Sequence, residues 1–425
     1  MKTILICPDR RAETTFLARK TPLALVPVLG PTLLSLWLTT LAERGAKEVI
    51  VLASDRPDQI RVAVGLGEFW GLKTEVLAEP GEISAAEARQ RFDTGAAGWL
   101  AAPYDVVVAD HLPMLPEAKL FESAAGFFES IKSWLPIAHK HRVGAREIAP
   151  GIWAGLRCKI DSTAKLITPC WLGENVWIGN RALIGPNAFI EDSAMVDCDA
   201  EITSSWIGSR TYVGAMTRVQ SSLAWADGLL NHQTGSFAEI VDAFLLGDLR
   251  GESGFERSSS WFGRLAALLT LILTSPVLLF AWLRNGSGKN LLLRKDAVIP
   301  TAMAGTASQR VMEYQELAGV TGLWRRWPQL WSIVRGDFTW VGNQPLTRTQ
   351  AAQLETEFEL LWLAAPVGLF SLADTFGDRD DFGDAARAHS SFYAVHASHR
   401  FDREILQRLI MKSSKSLNRN NLNIL

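Results

Sequence analysis

Apolar and polar positions change their period along this chain of 425 residues, and each change predicts a different architecture. The apolar run TILIC at 3–7, the amphipathic stretch LLSLWLTTLAERG at 33–45 and the run KEVIVLAS at 47–54 follow one another closely, and YDVVVAD comes at 104–110. Strand, helix and strand in such succession predict a parallel, doubly wound α/β sheet, assigned to residues 1–145. From Ile160 the period becomes six. Ile160, Leu166, Leu172, Ile178, Ile184, Ile190, Val196 and Ile202 are all branched aliphatics, and four residues after each of the first seven comes a mostly small side chain: Ala164, Cys170, Val176, Ala182, Ala188, Ala194 and Ala200. After a one-residue slip the pattern resumes at Ile207, Val213 and Val219. Each hexad supplies a short strand and a turn, so three make a triangular coil with the aliphatic side chain inward and the small one at a tight corner. The pattern predicts a left-handed parallel β-helix over 150–225.

Periodicity then stops. The stretch 247–260, GDLRGESGFERSSS, is polar and rich in Gly and Ser, and 226–257 is read as joint and linker. Directly beyond it, residues 265–283 carry no charge, which at helical rise spans about 28 Å, close to hydrocarbon thickness. Arg264 and Arg284 bracket this run, and Trp261 and Trp282 lie at the interfacial level. Ser275-Pro276 in its middle predicts a kink, because proline removes a backbone donor and clashes with the preceding turn. Basic residues on both flanks favour a re-entrant helix with both ends on the cytoplasmic face over a simple span. A buried core helix is the remaining alternative. Further on, TQAAQLETEFELLWLAA at 349–365 and DREILQRLIMKS at 402–413 read as helices.

Composition sharpens the division. The 48% hydrophobic and 21% charged content is globular. The net charge of −2 splits into 24 basic against 31 acidic residues up to Glu256 and 19 against 14 after it. A positive second half suits anionic headgroups or phosphate-bearing substrates. Nucleic acid is not expected, since the basic residues are scattered among tryptophans and apolar runs and form no tail. The four cysteines contain no CxxC pair and read as reduced, buried thiols of a cytoplasmic chain.

Residues 258–412 resemble the bacterial sugar transferases, the monotopic phosphoglycosyl transferases. The likeness rests on the apolar segment with Ser275-Pro276, on PQLWSIVRGDFTWVGNQPL at 328–346, and on Tyr393 within SFYAVHASHRFDREILQRL. The stretch 21–52, TPLALVPVLGPTLLSLWLTTLAERGAKEVIVL, is similar to sugar-nucleotide pyrophosphorylases, in which a hexapeptide β-helix is a common appendage. The resemblance implies three parts in order: an α/β nucleotidyltransferase-like domain, a left-handed parallel β-helix, and a membrane-inserted α/β phosphoglycosyl-transferase-like domain over 258–425. It also implies the family reaction, transfer of sugar phosphate from a nucleotide-sugar to polyprenyl phosphate at the inner membrane with Mg²⁺, in polysaccharide or glycoconjugate biosynthesis.

The departures from that family concern chemistry. Where it carries an Asp-Glu pair, whose aspartate is the nucleophile, this chain has Arg325 and Arg326. A guanidinium stays protonated, offers no nucleophilic lone pair and repels a divalent cation, yet it can hold a diphosphate through two parallel bonds. The Pro-Arg-Pro signature appears as Asn343-Gln344-Pro345, and Arg-Pro-Gly only as Ala365-Pro366-Val367-Gly368. In the first domain no glycine occurs in PDRRAETTFLARKT at 8–21, where a pyrophosphorylase needs close backbone approach to a triphosphate. Asp110 stands at a strand end where a metal-binding aspartate would fall, and equally where a turn residue would.

The substrate-binding candidates are therefore Arg325, Arg326, Arg335, Asp337, Asn343 and Gln344. The membrane candidates are Trp261, Arg264, Ser275, Pro276, Trp282 and Arg284. Trp324, Trp327, Trp331 and Trp340 suit stacking on a base or sugar, or an interfacial surface. His232, His389, His396 and His399 read as solvated, and Asp378, Asp380, Asp381 and Asp384 as a solvated loop. Two functions stand open. One is a divergent phosphoglycosyl transferase. The other is a pseudoenzyme at the cytoplasmic face of the inner membrane that binds a nucleotide-sugar or scaffolds an active glycosyltransferase. A homo-oligomer is a further candidate assembly.

Overall fold

The computed structural model describes residues 2–92, 105–249, 261–285, 292–301, 308–318, 322–354, 357–376 and 382–422. The chain forms two compact units, Met1–Leu249 and Arg250–Leu425.

In the first unit the strands Lys2–Ile6, Glu48–Ala53, Lys73–Ala78 and Val106–Val108 make a parallel sheet, ordered third, second, first, fourth. Its central strand is sealed on both faces, with Ile4 and Leu5 fully buried, as continuous apolar runs in parallel sheets require. The helix Leu33–Glu43 starts where the Thr32 hydroxyl accepts from the Ser35 amide at 3.2 Å, and its Leu33, Trp37 and Leu41 face the core.

The hexads fold as the six-residue period predicts. Three stacks of parallel strands share one axis, and Leu172 pairs with Ile190, which pairs in turn with Ile207. The second step is one residue shorter, which is the slip seen in the pattern. Ile178, Ile184, Ile190, Val196 and Ile202 are fully buried inside the coil, and Ala182 and Ala188 fill its corners. Each turn also needs one residue at positive φ, supplied by Asn175, Arg181, Asn187, Ser193 and Asp199 at six-residue spacing. A larger side chain at a corner has nowhere to go. Ala188→Leu is expected to cost about 1–3 kcal/mol by overpacking, read as a lower urea midpoint for the first unit.

One outer face of the coil is itself core. Trp171, Phe189 and Trp206 point outward and are fully buried, with Phe127 of the helix Ala124–Ala138 meeting Trp206 edge-on at 5.3 Å. The stretch read as joint and linker continues the architecture: Gly228–Asn231, Phe237–Glu239 and Leu246–Asp248 add antiparallel strands to two of the stacks. Residues 250–260 of that linker lie outside the described residues.

The second unit holds the helix Trp261–Asn285, continuous through Pro276, a hairpin of Leu292–Thr301 and Ser308–Leu317, and helices Gln329–Arg335, Asp384–His396 and His399–Leu422. Among the described residues no helix is long and apolar enough to cross a membrane. The stretch expected as one helix from 349 is instead broken, into Arg348–Ala351, Glu357–Leu360 and a 3₁₀ turn at Leu361–Ala364. Burial of Leu354 and Trp362 holds that path, so tertiary contacts override a favourable local propensity.

Candidate functional site

Arg325 and Arg326 close the 3₁₀ turn Gly322–Arg326, four and three residues ahead of Gln329, the first residue of the helix Gln329–Arg335. Both arginines line a cavity of about 500 Å³. The hairpin forms another wall. Lys295 lies directly opposite Tyr314, and Glu316 is two residues along the same strand, so all three share one face and border the cavity. Gln344 and Arg348 complete its rim.

Each guanidinium meets a carboxylate that the sequence pattern did not reveal. Arg326 is 7% exposed; its Nη1 donates to Asp374 Oδ2 at 2.8 Å and to the Leu369 carbonyl at 3.1 Å. Asp374 is held in turn by the Ser371 amide at 2.8 Å and hydroxyl at 2.9 Å. Arg325 Nε lies 3.3 Å from Glu316 Oε2, and Lys295 Nζ lies 2.8 Å from the same oxygen. Glu316 is 4% exposed and also accepts from Gln329 Nε2 at 3.3 Å. A carboxylate so surrounded is neutralised and sterically enclosed. Cavity-lining side chains include the cations Lys295, Arg325, Arg326 and Arg348 and the carboxylates Asp296 and Glu316, an excess of positive charge.

The other sequence candidates fall elsewhere. Asn343 is buried beneath the site, donating to the carbonyls of Trp362 at 2.9 Å and Ser390 at 3.0 Å, which makes it a brace. Arg335 and Asp337 pair with each other at 3.3 Å and are not among the lining residues. None of the four tryptophans borders the cavity. Trp327 and Trp340 instead fasten the helix Trp261–Asn285, their indole N–H groups donating to Thr274 Oγ1 at 2.7 Å and to the Gly263 carbonyl at 2.9 Å. That helix turns Ala267 and Thr274 toward the unit and exposes Trp261, Phe262, Leu265, Leu269, Ile272 and Leu273, the last by 81%. Apolar side chains outward and small or polar ones inward reverse the usual amphipathic order. Arg264, Ser275 and Pro276 are exposed on it, while the side chains of Trp282 and Arg284 lie outside the described residues.

His389 is not solvated as expected: it is 2% exposed and stacked on Phe376 at 4.1 Å. Asp378, Asp380 and Asp381 lie outside the described residues. In the first unit Asp110 accepts a bond from His111 Nδ1 at 2.7 Å, which holds its carboxyl below the usual range. Among the described residues no group of three His, Cys, Asp or Glu side chains can hold a metal ion. The loop that lacks glycine crosses the sheet's C-terminal edge, where Arg10 reaches Asp55 at 2.8 Å and Arg11 reaches Glu82 at 2.6 Å. Nucleotides in open α/β sheets lie along that edge, and here internal ion pairs occupy it.

No protein-family model matches the chain, and no curated protein matches it. Among solved structures, a perosamine N-acetyltransferase from Caulobacter crescentus, in complex with CoA and GDP-perosamine, is 16% identical with a TM-score of 0.14, covering 46% of this chain and 97% of that one. The likeness is slight, and the β-helix stands on the strand register above.

Proposed function

We propose that this chain is a membrane-bound, non-catalytic relative of the phosphoglycosyl transferases, keeping a cavity for a phosphate-bearing sugar ligand and lacking the covalent step. One observation carries the reading. Both positions of the family's acidic pair are guanidiniums at the wall of one cavity, Arg325 paired with the buried Glu316 and Arg326 with the partly buried Asp374. Formation of a phosphosugar–enzyme bond needs an unencumbered carboxylate facing the ligand. Glu316 is enclosed by Lys295, Arg325 and Gln329, so it serves as a counter-ion. The surplus of positive charge suits a diphosphate or phosphate ester.

The outward apolar face of the helix Trp261–Asn285, with exposed Trp324 and Trp331 in the same unit, supports a membrane address at an interfacial depth. On this reading the partners are the cytoplasmic face of the inner membrane, a nucleotide-sugar or polyprenyl phosphate, and an active glycosyltransferase that the chain serves. The enzyme reading has one outlet in the structure, the exposed cavity residue Asp296.

Incubation of the full chain with Mg²⁺, undecaprenyl phosphate and a panel of UDP-sugars is expected to release no UMP above background, while UDP-sugar binding is seen by calorimetry. UMP release abolished by Asp296→Asn would establish catalysis instead. In flotation with anionic vesicles, Leu269→Asp together with Leu273→Asp is expected to lower the bound fraction at least tenfold, and unchanged flotation defeats the membrane assignment.

A further inference from the structure

The coil is covered at one end and open at the other. Gly228–Asn231 and Leu246–Asp248 close two of its stacks at the far end, whereas Arg146–Ala149, Lys159–Ile160 and Lys165–Leu166 are the end strands of the three sheets. Interior side chains come to the surface there. Ile160, Ala164 and Leu166 are half-buried, while Ile178, Ala182 and Ile184 one turn further in are fully buried. The backbone is open as well. The amides of Lys159 and Asp161 donate inward to the carbonyls of Val176 at 2.8 Å and Ile178 at 3.0 Å, and those of Lys165 and Ile167 to Ala182 at 2.8 Å and Ile184 at 2.7 Å. Alternate residues of a strand bond to opposite sides, so the amides of Ile160 and Leu166 point out of the open end. A solenoid needs a polar cap to stay in water, and the described residues supply none here.

Ile148, Leu156 and Ile167 stand at that end, 41%, 48% and 41% exposed. A Cβ added to Gly144 would lie 2.5 Å from Leu156 Cγ, so the segment carrying the exposed Val143 rests against the same patch. Charge changes sign here. Residues 143–168 hold four basic and two acidic side chains, while the rest of the coil to Leu249 holds three basic and ten acidic. Arg146, Arg157 and Lys165 are exposed. The two carboxylates are engaged locally, Glu147 by the Gly151 amide at 2.7 Å and Asp161 by the Thr163 amide at 2.8 Å. Apolar residues interleaved with cations fit an anionic lipid surface. A second copy of the same end fits poorly, because basic residues would face basic residues. Contact at headgroup depth also brings phosphate and ester oxygens to the outward amides, which hydrocarbon could not supply.

We infer that the open end of the coil is a second membrane contact, through which the first unit rests on anionic lipid headgroups. The inference rests on the membrane address proposed above, because only eleven residues lie between Leu249 and Trp261. A surface that holds the helix Trp261–Asn285 therefore meets the coil at a high effective concentration, and two modest contacts on one chain hold more tightly than either alone. The cations act over a Debye length and the apolar side chains only on contact, so added salt weakens this attachment more than that of the uncharged helix face.

The test is amide hydrogen exchange on the full chain, free and on vesicles. With phosphatidylcholine vesicles holding about one third phosphatidylserine, exchange at 156–167 is expected to slow about tenfold, and to change little on phosphatidylcholine alone. Arg157→Glu together with Lys165→Glu, both at exposed positions, is expected to abolish that protection while the helix keeps the chain on the vesicle. The comparison of the two lipids needs only the wild type and decides if the variant fails to fold. A chain that floats with vesicles yet exchanges at 156–167 as it does in solution would overturn this inference and leave the membrane address in place. Equal protection on both lipids would overturn the role of the cations and with it the anionic contact. A chain that floats with neither vesicle would overturn both readings. Protection without vesicles that grows with protein concentration, with a dimer in sedimentation, would give the end to a second copy and overturn the inference. Protection that survives Leu269→Asp with Leu273→Asp would support the coil contact independently of the helix.

Discussion

Arg326→Glu is expected to destabilise the second unit strongly, although it places an acidic residue where the proposed family relationship expects one. The substitution removes the guanidinium that faces Asp374 at 2.8 Å and places a second carboxylate beside it. Both partners are largely withdrawn from water, with side-chain exposures of 8% and 14%. Breaking a buried pair costs about 3–5 kcal/mol, because the charge left behind is no longer compensated, and like-charge repulsion adds to it. Against a total stability of roughly 5–15 kcal/mol this is a large share. It corresponds to a fall in the unfolding midpoint on the order of 6–20 °C for a unit of this size. Arg325→Asp should cost less, since Arg325 is 35% exposed at its side chain and Glu316 keeps Lys295. Combining Arg326→Glu with Asp374→Arg should regain part of the loss by reversing the pair. A folded Arg326→Glu protein with an unchanged midpoint would show that the ion pair contributes little.

Glu191→Ala is expected to destabilise the first unit by about 3–5 kcal/mol, measured as a loss of urea midpoint. Glu191 follows the inward Ile190 of the coil and is completely buried. Its two oxygens accept from the amides of Leu29 and Gly30, each at 2.8 Å, and from the Trp206 indole at 2.9 Å. Leu29 and Gly30 both stand at positive φ, 53° and 108°, so the carboxylate secures a turn that is strained in its own right. Alanine leaves three donors without acceptors, those of Leu29 and Trp206 fully buried and that of Gly30 partly so.

The same residue imposes a pH dependence. Burial, with Asp192 nearby, pushes the Glu191 carboxyl up to about 7 despite the three donors. The folded state then binds a proton that the unfolded chain has already released. This stabilising contribution is complete below the unfolded value near 4.5 and is lost as pH rises through about 7. At 1.36 kcal/mol per pH unit the effect amounts to about 3 kcal/mol. Asp55 has the opposite sign: burial is outweighed by hydrogen bonds from Arg56 and Arg10, its carboxyl is depressed, and its contribution fades toward acid pH. Subtracting the profile of Glu191→Gln from that of the wild type isolates the Glu191 term. The difference should fall by this amount between pH 4 and 8, and a flat difference would contradict the assignment.

Legibility in the sequence followed the range of the forces involved. In the coil, Ile184 contacts its counterparts one turn away, and every turn repeats the same environment, so a six-residue period carried the architecture and even the shortened step after Ile202. The positive-φ corners were less visible, because Asn175, Arg181 and Ser193 share a backbone state and no side-chain class. The antiparallel strands at 228–248 were missed for a related reason: Gly228–Asn231 and Leu246–Asp248 have no period of their own and form because a stack edge is there to pair with.

The second unit shows the limit more sharply. Its sequence alone displayed the uncharged run at 265–283 and placed Arg325-Arg326 where an acidic pair was expected. It also supplied Gln344 as a candidate, and Gln344 lines the cavity. Nothing local distinguished Glu316 and Asp374 from the other carboxylates, or Asn343, now a buried brace, from a ligand contact. Whether a charge is a solvated face, a counter-ion or a ligand hook depends on what is packed around it and how far water is excluded. The sequence by itself therefore determined the repeating coil and the uncharged run at 265–283, because side-chain period and residue identity are properties of the chain. Only the tertiary structure decided that Arg325 meets Glu316 and Arg326 meets Asp374 at the wall of one cavity, because such pairings are set by how the segments pack and how far water is excluded.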